Sequence, residues 1–513
     1  MPVLPIVLIV VALLLAAPFL TWVAFSLKQT AFIVGLAALP FLILLGNRPN
    51  LWMILVAWIF GSNIRVVLGG TLTLFTVLSA GLAIILLART IISKRTNPYG
   101  KTARRWGIGL LLVVIMTMYI RGIGFHFLGG DKIGGMRYIL ILVPIGLFVL
   151  SSLVTLSRRE WKYALYGMCI TGLLPGIAEF AIHVSGGSFY HLYYLIQPKS
   201  SLGTTIDAVA SQAELVRYKS ATGSSRYILL FALLAFPAYG KKFHLLVLFA
   251  ITALAISGLS GHRQNMVYLL GVIFIYGFFI SSGRRIRYSV ISATVGLVGM
   301  MFLYLATPFL PFNLQRSISW MPKIPVSYQV KLSALGTTDW RILVWGRGME
   351  EVPQYFWLGK GYAYDLNVYH QLSMMQRREA FVESAVLTVD YHNGPLGLVI
   401  GLGIFGVITA AGLFFTVALQ QSLMANGKWA DPVLERYHLA LLSMYLARIP
   451  SFLIISGNVH STFPDLLFFC LLLQGVSRTE LRTRLKSKMK EAAPKKPITP
   501  EAPLPRSATV LAD

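Results

Sequence analysis

Apolar runs interrupted by short polar breaks dominate the chain, and their length matters more than any residue within them. A helix that crosses a bilayer needs about 20 mainly apolar residues. With that template the sequence predicts about fourteen spans, near 4–26, 30–47, 51–69, 71–88, 107–125, 136–157, 163–185, 227–240, 243–260, 264–282, 288–309, 394–420, 433–456 and 461–477. The first run lacks a charged start and a small-residue cleavage site, so it reads as a retained helix. The expectation is an all-α polytopic integral membrane protein with about 12–14 transmembrane helices.

Charge supplies an orientation. The strongest basic break carries Arg89, Lys94, Arg95, Lys101, Arg104 and Arg105. Placing it in the cytoplasm and alternating sides also puts inside Arg158, Arg159 and Lys162, then Lys241 with Lys242, then Arg284, Arg285 and Arg287. The C-terminal run Arg478, Arg482, Arg484, Lys486, Lys488 and Lys490 falls inside as well. Five clusters agree, as the positive-inside bias requires, and both termini of an inner-membrane protein are expected in the cytoplasm.

Two long connections then face outward, about 186–226 and about 310–392. Loops this long are functional or disordered. The second contains Trp320, Trp340, Trp345, Tyr355, Phe356, Trp357, Tyr362 and Tyr364, which suits a segment at the membrane interface. Ile342, Trp345, Met349, Val352 and Phe356 recur in it at helical spacing and predict a short amphipathic helix. From Ala492 onward Pro494, Pro497, Pro500, Pro503 and Pro505 mark a disordered tail. The chain thus divides into 1–225 (N-terminal spans and first external loop), 226–309 (central spans), 310–392 (large loop), 393–477 (C-terminal spans) and 478–513 (basic, then Pro-rich tail).

Composition sharpens the picture. Of 513 residues 56% are hydrophobic and 12% charged, half the charge that a water-facing surface carries. A net charge of +26 in a soluble protein would suggest nucleic acid, but these cations sit in breaks between apolar runs, so no nucleic-acid partner is expected. Cys169 and Cys470 lie within spans and build neither a disulfide framework nor a metal cluster. The chain holds no Walker loop, HExxH, CxxC pair or GxSxG, and Gly401-Leu402-Gly403-Ile404-Phe405-Gly406 matches GxGxxG only by letter. It lies inside a span, where close helix packing through small residues explains it.

Three constellations remain. Ser260-Gly261-His262-Arg263-Gln264-Asn265 crowds six polar or small residues into the turn between two spans, where a lone arginine would merely snorkel. Trp340-Arg341-Ile342-Leu343-Val344-Trp345-Gly346-Arg347, followed by Phe356-Trp357-Leu358-Gly359-Lys360-Gly361-Tyr362, reads either as an interfacial helix with basic anchors or as a phosphate site, since guanidinium forks match phosphate oxygens. Tyr391-His392-Asn393-Gly394-Pro395 places a histidine at the mouth of a span, with Asp390 or Glu383 to orient it.

In these three places the chain resembles the bacterial superfamily of O-antigen ligases and O-antigen polymerases. The matching residues are Ser260-Gly261-His262-Arg263, Arg341 with Trp345, Phe356-Trp357-Leu358-Gly359-Lys360-Gly361, and His392-Asn393 with Leu396, Gly403 and Gly406. They cover about 220–460, and the earlier spans match in hydrophobicity alone. The resemblance implies a GT-C-like membrane glycosyltransferase working on the periplasmic face without metal or cofactor. Its donor would be a polyprenyl-diphosphate-linked glycan. Its acceptor would be a sugar hydroxyl on a lipid-linked repeat (polymerase, exopolysaccharide) or on lipid A–core (ligase, lipopolysaccharide). It further implies Arg263 and Arg341 on the donor diphosphate and His392 as general base, with Arg347, Asn393, Arg121 and Arg65 binding substrate. Arg137 and Arg448 are further cations of that face. The chain departs from the family in a span count about two higher, in His262 beside Arg263 and in the Pro-rich tail. A transporter or flippase for a lipid-linked sugar or anion is the competing reading; such proteins carry mid-membrane charges and internal repeats, neither of which stands out here. A third, a structural subunit among other polysaccharide-assembly proteins, has only the tail to recruit a partner.

Overall fold

In a computed structural model of the chain, the described residues are 48–62, 64, 73–93, 100–124, 132–185, 189, 219–281, 283–375, 378–455, 457–459 and 461–492. The predicted spans 4–26 and 30–47, most of the 186–226 connection, Arg65 and the Pro-rich tail lie outside them. Each of the other twelve predicted spans coincides with helix. In order these are α1 (Pro49–Phe60), α2 (Leu74–Ser93), α3 (Lys101–Arg121), α4 (Gly135–Leu150), α5 (Arg158–Thr171) with α6 (Leu174–Val184), α7 (Lys219–Ala235), α8 (Phe243–Leu259), α9 (Arg263–Ile280) and α10 (Arg285–Ala306). The large loop folds as α11 (Phe312–Ile318), α12 (Tyr328–Tyr355), α13 (Leu366–Met374) and α14 (Arg378–Leu387). The chain then returns to the bundle through α15 (Gly394–Ala425), α16 (Pro432–Pro450) and α17 (Thr462–Ala492). Strands β1 (Lys132–Ile133) and β2 (Tyr364–Asp365) form one antiparallel clip with Ile133 opposite Tyr364.

Among the described residues eight helical segments are long and apolar enough to cross a membrane, fewer than the predicted count. Two of the predicted spans lie outside the described residues, and the rest of the difference has local causes. Helices α1 and α8 have 12 and 17 residues, and α17 passes from an apolar half into the basic run. The span predicted at 163–185 is not among the losses: α5 and α6 together form one 27-residue apolar crossing, Arg158–Val184. The molecule is a multi-pass helical membrane protein.

Apolar burial centres on α16 and α17, where Leu441, Leu442, Tyr445, Phe463, Leu467 and Leu472 are all inaccessible. Four of the basic clusters gather at one end of this bundle. Arg104 donates to Ser152 Oγ at 3.2 Å and Arg482 to Thr155 Oγ1 at 2.5 Å. Arg158 pairs with Asp431 at 3.4 Å, and Arg285 donates to Asn426 Oδ1. The candidate residues stand at the opposite ends of the same helices: Arg263 opens α9, His392 precedes α15 and Arg448 is in the last turn of α16.

The large loop is anchored by a break in α15. At Gly403 the backbone turns to φ 76°, a region open to glycine at little cost. The extended segment after α12 fills the break. Lys360 N donates to Ile400 O at 2.6 Å, Gly361 N to Gly401 O at 3.0 Å, and Ile404 N to Phe356 O at 2.7 Å. A methyl group at Gly359 would collide with the Gly401 backbone, and one at Gly403 with the Trp357 carbonyl. The small residues predicted to serve helix packing therefore admit a strand-like segment of the chain's own loop.

The predicted amphipathic stripe on the loop also needs correction. Helix α12 is 28 residues long, and Ile342 and Met349 face outward, as does Trp357, which is 69% exposed. Its inward face carries Val330, Ala334, Val344 and Gly348, with Trp345 and Val352 packed beside them. Aromatic residues accordingly divide between the surface and the core, where Tyr362 packs edge-on against Tyr138 at 5.3 Å.

Replacing Gly403 by Ala combines a steric collision with an unfavourable φ, and the expected destabilisation is about 2 kcal/mol or more. Gly299→Ala, with no atom within 4 Å of the added methyl, should leave stability unchanged or slightly raised. Thermal unfolding of the two detergent-solubilised variants checks the contrast, and equal midpoints would contradict the plug geometry.

Candidate functional site

Three elements converge on the middle of α12. The first is the α8–α9 turn, where Gly261 at φ 71° lets the chain reverse within three residues. His262 occupies the N-cap without a side-chain cap bond, so the first N–H groups of the 18-residue α9 form an uncapped positive end. Arg263 is the first residue of that helix and donates Nη2 to Ala334 O of α12 at 3.3 Å.

Arg341 lies seven residues beyond Ala334, two turns along the same face of α12. Its Nε is buried without a hydrogen-bond partner. Burial holds its pKa below the usual arginine range, and the neighbouring Arg263 charge pushes it the same way. Among the described residues neither arginine has a carboxylate in ion-pair reach. Two half-buried guanidinium groups close together without a counter-ion are costly, and an anion placed between them would relieve the cost.

The third element is the turn before α15. Val389 and His392 both adopt left-handed backbone, at φ 56° and 50°. For valine this is a strained conformation, so the surroundings must hold it. They do so on both sides. Trp345 Nε1 donates to Tyr391 O at 2.7 Å, and Tyr391 Oη donates to Glu351 Oε2 at 2.8 Å. Glu351 also pairs with Lys360 at 2.9 Å, and burial with the adjacent carboxylate pushes the Tyr391 hydroxyl pKa up. On the other side Asn458 donates to Asp390 Oδ1 at 2.6 Å. The result sets the His392 ring edge-on to Trp340, 5.4 Å between centroids, with Trp340 next to Arg341 in the chain.

His392 Nε2 stands 3.9 Å from Asp390 Oδ1, within electrostatic reach though longer than a hydrogen bond. Of the two carboxylates proposed to orient the histidine, Asp390 is therefore the neighbour, whereas Glu383 pairs with Arg347 at 3.0 Å. The site thus offers two cations, a helix N-terminus and an imidazole beside a carboxylate. This set can hold a diphosphate and take a proton from a hydroxyl.

The remaining predicted residues are placed differently. Arg121 donates Nε to Gly359 O at 2.8 Å and Nη2 to Leu358 O at 2.9 Å, and its guanidinium lies over Tyr355. It secures the loop segment in the α15 break. Arg347 is exposed and bound to Glu350 at 2.8 Å as well as to Glu383; those bonds, the one to Glu350 first, raise its pKa. Asn393 caps α15 by accepting Leu396 N at 3.1 Å. Arg65 lies outside the described residues. All three described residues are committed to protein partners, whereas Arg263 makes one carbonyl bond at 3.3 Å and the Nε of Arg341 has none.

Sequence reasoning missed Asn458 and Arg226. The signal for Asn458 was the polar break Ser456-Gly457-Asn458 between two predicted spans, which no motif singled out. Arg226 donates Nε to Asn265 Oδ1 at 2.7 Å, tying α7 to the turn that carries Arg263. No protein-family model matches the chain, and no curated protein matches it.

Arg121→Gln removes charged donors from two loop carbonyls and should destabilise the protein by about 1.5–3 kcal/mol. Arg347→Gln breaks only exposed pairs and should leave the unfolding midpoint essentially that of the parent. Denaturant unfolding of both variants in micelles decides it; matching losses would refute the division of labour drawn here.

Proposed function

We propose that the protein is a membrane glycosyltransferase that moves a glycan from a polyprenyl-diphosphate carrier to an acceptor sugar hydroxyl on the periplasmic face, as a polymerase or ligase of cell-envelope polysaccharide. The observation that carries the reading is the pair Arg263 and Arg341, half-buried, mutually repelling and without a carboxylate, beside an ordered His392. The order of motifs along the sequence supports it independently.

In this mechanism the donor diphosphate lies between the two guanidinium groups and the N-terminus of α9. His392 takes the proton from the acceptor hydroxyl as its oxygen attacks the anomeric carbon. The bond from that carbon to the diphosphate oxygen breaks, and the polyprenyl diphosphate departs with the charge that Arg263 and Arg341 stabilise. Such preorganised cations act most strongly where charge develops, in a site that excludes water. Asp390, fixed by Asn458, favours the imidazolium formed in that step. Of the two acceptors, a lipid-linked repeat fits slightly better, because nothing in the loop marks a lipid A–core site.

His392→Ala should lower transfer about 10²–10⁴-fold while the protein still inserts. Arg341→Lys should fail to restore activity, since an ammonium cannot form the bidentate fork. The measurement is transfer of a labelled glycan from a polyprenyl-diphosphate donor in membranes that contain each variant. Full transfer by the His392→Ala protein would end the general-base assignment. Movement of labelled carrier across a bilayer without a new glycosidic bond would favour a flippase instead.

A further inference from the structure

Beneath the α8–α9 turn, a second polar constellation stands apart from the catalytic set. A cavity of about 60 Å³ opens between α1, the α5–α6 break, α7, α9, α16 and α17. Its lining includes Ser220, Gly223, Arg226, Tyr268, Arg448 and Asp465. The two arginines lie against the same tyrosine ring, Arg226 at 5.1 Å and Arg448 at 5.6 Å from the Tyr268 centroid.

Charge in the lining does not cancel. Arg448 Nη2 pairs with Asp465 Oδ2 at 2.9 Å, which leaves the second guanidinium, Arg226, bonded through Nε to the neutral Asn265 amide. Two cations against one carboxylate give a net charge of +1 in the lining. Glu179 accepts Ser220 N at 2.9 Å but is not part of that lining. Arg448 is only 5% exposed, and its Nη1 has no hydrogen-bond partner. A buried, unsatisfied guanidinium N–H is expensive in an apolar bundle. The cavity has room for about four water-sized centres, enough for one compact oxyanion.

We propose that this cavity is a binding site for a compact phosphate-type oxyanion, held by Arg226 and Arg448, which both lie against the Tyr268 ring, and distinct from the Arg263–Arg341 site. Such an oxyanion accepts from the unpartnered Nη1 of Arg448 and balances the residual charge of the lining. Asn265 couples the two sites mechanically, because it accepts Arg226 Nε and donates to Ser225 Oγ at 2.9 Å and Ser257 Oγ at 2.7 Å, two residues after Arg263. Filling the cavity therefore stiffens the turn that presents Arg263.

Gly223 permits a test that leaves every charge in place. It lines the cavity, and a methyl group added there meets no atom within 4 Å. Gly223→Val should occupy the void while preserving or raising basal stability. The experiment starts from the Arg263→Ala/Arg341→Ala protein, purified in detergent, so that the first anion site is absent. Thermal unfolding is followed against inorganic phosphate, and separately against short-chain phosphatidic acid, with chloride holding ionic strength constant. The expected result is a saturable rise in midpoint that disappears with Gly223→Val and weakens at least tenfold in apparent affinity with Arg226→Gln. A response to inorganic phosphate identifies a free oxyanion, and a response to phosphatidic acid alone identifies a lipid headgroup; either supports the site. The proposal is overturned if neither ligand gives a saturable rise, or if the rise survives both substitutions. Transfer activity does not enter the measurement, so this result stands or falls separately from the glycosyltransferase reading.

Discussion

Backbone N–H and C=O groups that leave a helix inside an apolar bundle need partners close by, because no water is there to supply them. The break in α15 meets this requirement with the chain's own loop. The segment from Phe356 to Gly361 exchanges backbone hydrogen bonds with Ile400, Gly401 and Ile404, and Arg121 closes the exposed carbonyls of Leu358 and Gly359. That junction fixes the C-terminal end of α12 against the bundle. Everything that α12 carries, from Ala334 through Arg341 to Glu351, is positioned from it. The clamps on the His392 turn also start there, since Lys360 belongs to the inserted segment and pairs with the same Glu351 that accepts Tyr391. A loop of some eighty residues thus becomes a rigid part of the bundle through six residues and two glycines.

The polar groups elsewhere in the bundle show what ordinary structural use looks like. His438, Gln421 and Ser477 are buried and bond to one another, and Glu480 accepts Asp431 N and Arg484 Nε. Trp161 Nε1 finds Thr479 Oγ1 at 2.9 Å. These networks hold helices together, and the one charged pair in them, Arg484 with Glu480, is matched. Arg263 and Arg341 differ because their charge is not answered from within the described residues. Half-buried charge without a counter-ion costs stability, and that cost is the demand the proposed diphosphate would meet.

How far the sequence could be read follows from which forces act locally. Apolar length and basic clusters located every described span, since both are properties of consecutive residues. Among the described residues they overreached where α1 and α8 fall short of a full crossing, whereas α5 and α6 together make the single crossing expected of that run. Arg263, Arg341 and His392 were recognisable as a set because each stands in a polar break that a plain span would not contain. Arg121 and Arg347 carry the same letter as Arg263, and sequence offered no way to see that carbonyls 358 and 359 occupy one while Glu350 and Glu383 occupy the other. Long-range partners decide what an arginine does. The misread stripe on α12 has the same origin: its inward face is set by what packs against it, and helical spacing alone allowed more than one choice.

The turn from Val389 to His392 connects these levels. Two residues in left-handed backbone within four positions is a conformation the local sequence would not choose, and neither is glycine. Its cost is offset by bonds from Trp345, Glu351 and Asn458, which come from α12 and from the break between α16 and α17. A relaxed turn would need none of these, and it would let the imidazole swing away from Trp340. Strain held by three bonds from two separate elements is better suited to fixing one side-chain direction than to stabilising a fold. The direction it fixes sets His392 beside the α12 neighbour of Arg341, so the same architecture that satisfies the broken helix also orients this imidazole against Trp340.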